Sequence, residues 1–187
     1  DSGFNIISVG RLVYIKNFKL TILSFSKFLE NNPCATNAKL QIVGDGEERG
    51  MLEKLSIDLG IKKNIEFIGK VSLSEVQDHL SEASLFLFPS LENAGFVTLE
   101  AMSNSLPVIA MRYGGPEQFI KNNIEEQLVP VTKKFDDIAQ DIAKRLELFY
   151  KDKVLTDKVG KQNRQDVLDN FTWEAKAQKM KNIYNEL

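Results

Sequence analysis

Leu85-Phe86-Leu87-Phe88-Pro89-Ser90-Leu91-Glu92-Asn93-Ala94-Gly95-Phe96-Val97-Thr98-Leu99-Glu100-Ala101-Met102-Ser103 reads as a strand, a turn and a helix in that order. Four apolar residues in a row, with no polar alternation, suit a strand buried on both faces. Pro89, Asn93 and Gly95 punctuate a turn, and 97–103 reads as the helix that returns over the sheet. The same alternation extends outward in both directions. Further strands are expected at 4–9, 39–43, 65–68, 107–110 and 127–131. Helices are expected at 18–31, 47–59, 72–83, 116–121 and 135–150. In the first, Ile22, Phe25, Ser26 and Leu29 share one face; in the last, Ile138, Ile142, Leu146 and Phe149 do. Ser72-Leu73-Ser74-Glu75 is a capping box, and Thr172 caps the second of two more helices at the end. Strands alternating with helices predict an α/β fold. It is a doubly wound, Rossmann-like parallel sheet of about six strands over 1–131, with a helical C-terminal extension over 132–187.

Composition narrows the function. The 187 residues are 43% hydrophobic and 27% charged, with a formal net charge of -2, so no basic surplus suggests a nucleic-acid partner. The single cysteine, Cys34, makes no internal disulfide and suits a reducing compartment. With one histidine, His79, beside it, a cysteine–histidine metal cluster is not expected. No apolar run approaches the roughly 18 residues of a membrane span, and no signal-peptide pattern opens the chain. Strand-like sequence starts almost at once after Asp1-Ser2-Gly3, so the chain reads as part of a longer protein.

In open parallel sheets, ligands bind beyond the carboxyl ends of the strands. The turns at that edge are Gly10-Arg11, Gly44-Asp45-Gly46, Gly69-Lys70-Val71, the 89–95 turn, and Met111 to Gly115. The opposite turns hold less glycine and charge. After the first strand a dinucleotide site wants Gly-x-Gly-x-x-Gly. Here Gly10 is followed by Arg11 and Lys16, two cations able to neutralise a diphosphate. From spacing alone, Lys16 reads equally well as a solvated surface residue. A helix beginning near Phe96 points free N–H groups at the edge, a setting for phosphate. Glu100 lies one turn on, and side chains lean back toward the helix start. Its apolar neighbours make an ionised carboxylate costly unless ligand hydroxyls donate to it. Taken singly, Glu100 is also an ordinary acid near a helix start, and Glu92 an ordinary loop charge.

The order of these motifs resembles the C-terminal, donor-binding domain of retaining GT-B glycosyltransferases, the group 1 or family 4 enzymes. The carrying residues are Val9-Gly10-Arg11-Leu12 with Lys16, Ile42-Val43-Gly44-Asp45-Gly46-Glu47, and Phe67-Ile68-Gly69. They continue with Phe88-Pro89-Ser90-Leu91-Glu92, Gly95-Phe96, Glu100-Ala101-Met102, Leu106-Pro107-Val108-Ile109-Ala110 and Gly114-Gly115-Pro116-Glu117. The resemblance implies that Arg11 and Lys16 neutralise the donor diphosphate and that the amides of Gly95-Phe96-Val97 hold phosphate. It implies that Glu92 touches the donor sugar and Glu100 the ribose. Gly10, Gly44, Asp45, Lys70 and Val71 fall where the nucleoside and diphosphate sit, with Val71 near the base. Arg11, Lys16 and Glu92 are then the catalytic candidates, with Glu92 positioning sugar rather than acting as a nucleophile.

The implied donor is a nucleoside-diphosphate sugar, a UDP-sugar first and a GDP-sugar second, with no metal and no other cofactor. The implied activity is retaining hexosyl transfer to a glycan or lipid-linked acceptor, as in bacterial surface polysaccharide synthesis. The acceptor would bind an N-terminal domain absent from this chain, so the 187-residue fragment is expected to bind nucleotide without transferring sugar. The setting implied is cytoplasmic, with peripheral association at the inner membrane face. Asn93-Ala94, Asn104-Ser105 and Asn123-Ile124-Glu125-Glu126 depart from the family's commoner residues, the first of them beside the sugar. The competing readings are a sugar-nucleotide epimerase, a starch or glycogen synthase-like polymerase, and a non-catalytic nucleotide-binding module.

Overall fold

The structure is a computed structural model and describes residues 3–131 and 134–185. The strands are β1 (Asn5–Val9), β2 (Lys39–Val43), β3 (Ile65–Gly69), β4 (Leu85–Phe88), β5 (Val108–Met111) and β6 (Leu128–Val129). The helices are α1 (Phe18–Asn31), α2 (Arg49–Asp58), α3 (Leu73–Glu82), α4 (Val97–Ser103), α5 (Gly114–Phe119) and α6 (Ile124–Gln127). They continue with α7 (Phe135–Lys151), α8 (Lys153–Asn170) and α9 (Trp173–Asn185). All six strands form one sheet in the order β3-β2-β1-β4-β5-β6, and every neighbouring pair is parallel. This is the expected doubly wound, Rossmann-like α/β sheet.

Strands β4 and β5 are apolar throughout and fully buried because both faces of the sheet are covered. Alternation along each strand divides the core in two. Ile6, Leu40, Ile42, Leu85, Leu87, Ile109 and Met111 pack with α1, α2 and α7. Ile7, Val43, Phe86, Phe88, Val108 and Ala110 pack with α3, α4 and α5. The capping box forms: Ser72 Oγ accepts from Glu75 N–H while the Glu75 side chain accepts from Ser72 N–H. Thr172 Oγ1 accepts from Ala175 N–H at 3.1 Å at the start of α9.

Three elements differ from expectation by two residues at a boundary. Helix α2 begins at Arg49, because Gly46 and Glu48 are drawn into turns whose backbone bonds reach Leu12 O and Gly46 O. Helix α5 starts on Gly114-Gly115, ahead of the expected 116. Strand β6 holds only two residues, because Gln127 ends α6 and turns inward. Its amide is fully buried, accepts from Val108 N–H at 2.9 Å and donates to Asn122 O at 2.9 Å. It also pairs with the buried amide of Asn163 in α8. In the helical C-terminal extension, Ile138, Ile142, Leu146 and Phe149 of α7 sit in the same core as the strands. By contrast, α9 buries no residue.

Candidate functional site

The chain runs from β1 outward to β3 and then returns to β4 on the other side of β1. The turns after β1 and β4 therefore leave in opposite directions and open a crevice between them. Lys16 ends a short 3-10 turn over Tyr14–Lys16, and Asn17 follows in the left-handed region (φ 56°) to start α1. The two loops are joined by hydrogen bonds of their own. Ser90 Oγ donates to Ile15 O at 3.2 Å, Leu91 N–H to the same carbonyl at 3.3 Å, and Asn17 Nδ2 to Pro89 O at 3.5 Å. Across this seam Lys16 Nζ forms an ion pair with the Glu92 carboxylate. The two side chains are only 18% and 22% exposed. The ammonium lies 5.3 Å from the centre of the Phe88 ring, and its alkyl stem passes over Gly10.

The turn after Glu92 is shaped by close backbone approaches. Gly95 adopts φ 57°, and a Cβ there would stand 2.9 Å from Pro116 Cδ. A Cβ on Gly115 would stand 1.9 Å from Ala94 O, so the glycine pair opening α5 and the 92–95 loop require each other. Thr98 N–H bonds to Gly95 O and Leu99 N–H to Phe96 O. The N–H groups of Phe96 and Val97, ahead of these, are the open start of α4. The Phe96 side chain is 66% exposed and stacks on Phe119 at 6.1 Å. Glu100 is half-buried, and burial alone pushes its carboxyl pKa above the usual carboxylate value. No described side chain donates to that carboxylate.

On the other flank, Val9, Gly10, Val43, Gly44, Lys70, Val71 and Val76 line a shallow groove of about 170 Å³. Its floor is tight, since a Cβ on Gly44 would meet Gly10 O at 2.0 Å. Gly44 N–H donates to Gly69 O at 2.8 Å, which locks the turns after β2 and β3 together. Asp45 is already engaged: one oxygen accepts from Gly46 N–H at 2.8 Å, and the other pairs with Arg49 at 3.4 Å. Arg11 is exposed at the rim, with no side-chain partner among the described residues. A second hollow of about 380 Å³ adjoins the seam, lined by apolar Tyr14, Ile15, Met51, Leu91 and Phe135 with Lys19.

The sheet order thus brings the loops that carry Gly10, Lys16, Glu92, Gly95 and the start of α4 with Glu100 to the same carboxyl edge, with Lys16 and Glu92 in contact and Gly44, Lys70 and Val71 lining the groove beside Gly10. Asn17 and Ser90, which hold the seam, carry no signal in the sequence beyond turn propensity. Among the described residues, no helix is long and apolar enough to cross a membrane.

The family model of glycosyl transferases group 1 matches residues 2–166. An uncharacterized glycosyltransferase of Methanocaldococcus jannaschii is 31% identical over 190 aligned positions, covering 98% of this chain and 45% of that protein. The lipopolysaccharide core biosynthesis glycosyltransferase LpsE of Rhizobium meliloti is 26% identical, covering 91% of this chain and 53% of its own length. The chain thus spans about half the length of these curated relatives. Among solved structures, the pneumococcal O-GlcNAc transferase GtfA, in complex with UDP and GlcNAc, superposes with a TM-score of 0.83 at 21% identity. That likeness covers 98% of this chain and 36% of GtfA.

Proposed function

The chain belongs to the glycosyl transferases group 1 family, with the fold of a GT-B C-terminal domain, and from that premise we propose that it is the donor-binding part of a retaining hexosyltransferase. The observation that carries the reading is the crevice between β1 and β4. It sets a cation, two carboxylates and the open start of a helix within one site, and leaves Glu100 half-buried without a donor. A nucleoside-diphosphate sugar supplies what each group lacks. Arg11, Lys16 and the N–H groups of Phe96 and Val97 face the diphosphate. Glu100 accepts from the ribose hydroxyls, and Glu92 from the sugar. The groove over Gly44, Lys70 and Val71 takes the base. Asp45, held by Arg49 and Gly46, shapes the turn beneath it.

As the bond from anomeric carbon to phosphate breaks, negative charge grows on the departing diphosphate. Fixed cations and backbone N–H groups favour that charge more than the ground state. Glu92 orients the sugar so that attack comes from the face the diphosphate leaves. UDP is the first choice of nucleotide, supported by the GtfA complex, with GDP second. A surface-polysaccharide acceptor is supported by the likeness to LpsE. We place the acceptor site on a further N-terminal domain, so the 187-residue chain binds donor without transferring sugar efficiently.

A thermal-shift panel of UDP- and GDP-sugars tests the reading. A donor at about 100 times its Kd stabilises the folded chain by roughly 2.7 kcal/mol. That moves the midpoint by several degrees. No shift with any nucleoside-diphosphate sugar, or efficient transfer by this chain alone, counts against it.

A further inference from the structure

Without ligand, the two groups assigned to different parts of the donor are bonded to each other. Lys16 is assigned to the diphosphate and Glu92 to the sugar, yet Lys16 Nζ is paired with the Glu92 carboxylate. We infer that Glu92 is a selectivity determinant: its carboxylate competes with a diphosphate for the charge of Lys16, and only a ligand carrying a sugar gives Glu92 replacement donors. This rests on the donor-site reading and adds to it a discrimination between donor and the nucleoside diphosphate that remains after transfer.

Three observations support the exchange. First, the pair can open without moving the backbone. Ser90, Leu91 and Asn17 hold the two loops together by bonds that do not involve either charged group. Second, the lysine has holds other than Glu92: its stem rests over Gly10 and its ammonium lies 5.3 Å from the centre of the Phe88 ring. Third, both side chains are largely enclosed, at 18% and 22% exposure, so neither charge is well screened by water. A nucleoside diphosphate that engages Lys16 leaves the Glu92 carboxylate less well compensated and beside a second negative charge. A donor sugar places hydroxyls there, and each O–H can donate to the released carboxylate. Glu92 therefore weakens product more than donor, which favours product release after each transfer.

The test is calorimetric titration of the 187-residue chain with UDP, UDP-glucose, GDP and GDP-mannose. It compares wild type, Glu92→Gln and Glu92→Ala, each checked for a cooperative thermal transition. Removing the carboxylate is expected to tighten nucleoside-diphosphate binding about five- to tenfold in both variants. Donor affinity rises less or falls, so the donor-to-product affinity ratio drops, further for Ala than for Gln. Wild-type binding with no tightening of UDP or GDP in either variant overturns the inference and leaves the donor site standing. Failure of wild type to bind any of the four ligands overturns the donor-site reading and this inference with it.

Discussion

Glu100 shows how one side chain can be poor for the free fold and good for a ligand. Its carboxyl is half-buried, no described residue donates to it, and burial raises its pKa. A raised carboxyl pKa means that the folded chain takes the proton more readily than the unfolded chain. The burial cost is present above the raised value and is relieved as pH falls through it. Ribose hydroxyls favour the ionised form, so ligand binding has the opposite sign: affinity is full above that pKa and falls below it. Glu100→Gln is therefore expected to raise the melting midpoint at neutral pH by about 1–3 °C. The same change weakens nucleotide binding and removes the acid limb of its pH dependence. Melting curves and titrations across pH 4–8 check both; a variant that binds nucleotide as well as wild type refutes the ribose role. Both glutamates were legible as residues, since they flank a glycine turn. Their relation to Lys16 was not: Lys16 and Glu92 are 76 positions apart, and only the sheet order makes them neighbours.

At the scale of elements, the turns explain which glycines are indispensable. Gly115 lies against Ala94 O so closely that any Cβ displaces the 92–95 loop. Gly50 in α2 has nothing within 4 Å of its Cβ direction. Gly115→Ala is expected to abolish nucleotide binding by moving Glu92 and Gly95 while the sheet persists in circular dichroism. Gly50→Ala instead stabilises by about 0.5–1 kcal/mol. Equal ligand affinity in the two variants would remove the 92–95 loop from the site. The departures at Asn104-Ser105 and Asn123 also find a local account. Ser105 (φ 60°) and Asn123 (φ 50°) sit in the left-handed region that a glycine would occupy without strain. Asn tolerates it better than Ser. Ser105→Gly should then raise the urea midpoint, by the equivalent of a few tenths to about 1 kcal/mol of unfolding free energy once the added unfolded-state freedom is subtracted. A lowered midpoint would show that the Ser105 side chain does more than occupy the turn. These strains were invisible in the sequence, because a backbone angle depends on where the following Leu106 must go.

The whole molecule depends on more of its length than the strand pattern suggested. The periodicity of α7 showed that one face is buried, but not against what. In the structure that face closes the core shared with α1 and the strands. A boundary near 131 would therefore cut through a packed layer. Ile138, Ile142, Leu146 and Phe149 each bury a large side chain. At about 1.5–3 kcal/mol each, their loss removes roughly 6–12 kcal/mol. That is comparable to the entire stability of a typical domain, about 5–15 kcal/mol. The buried amide pair of Gln127 and Asn163 adds a polar tie from α8 to the edge of the sheet, and α8 also supplies Val159 to the core. Helix α9 differs, since none of its residues is buried. A chain ending at 131 is expected to lack a cooperative urea transition, and one ending at 172, which keeps Phe171 against Phe119, to unfold within about 1 kcal/mol of the full chain and to bind nucleotide unchanged. Cooperative unfolding of the shorter chain would make the helical end an appendage after all. Loss of nucleotide binding on removing α9 alone would place part of the site on that helix.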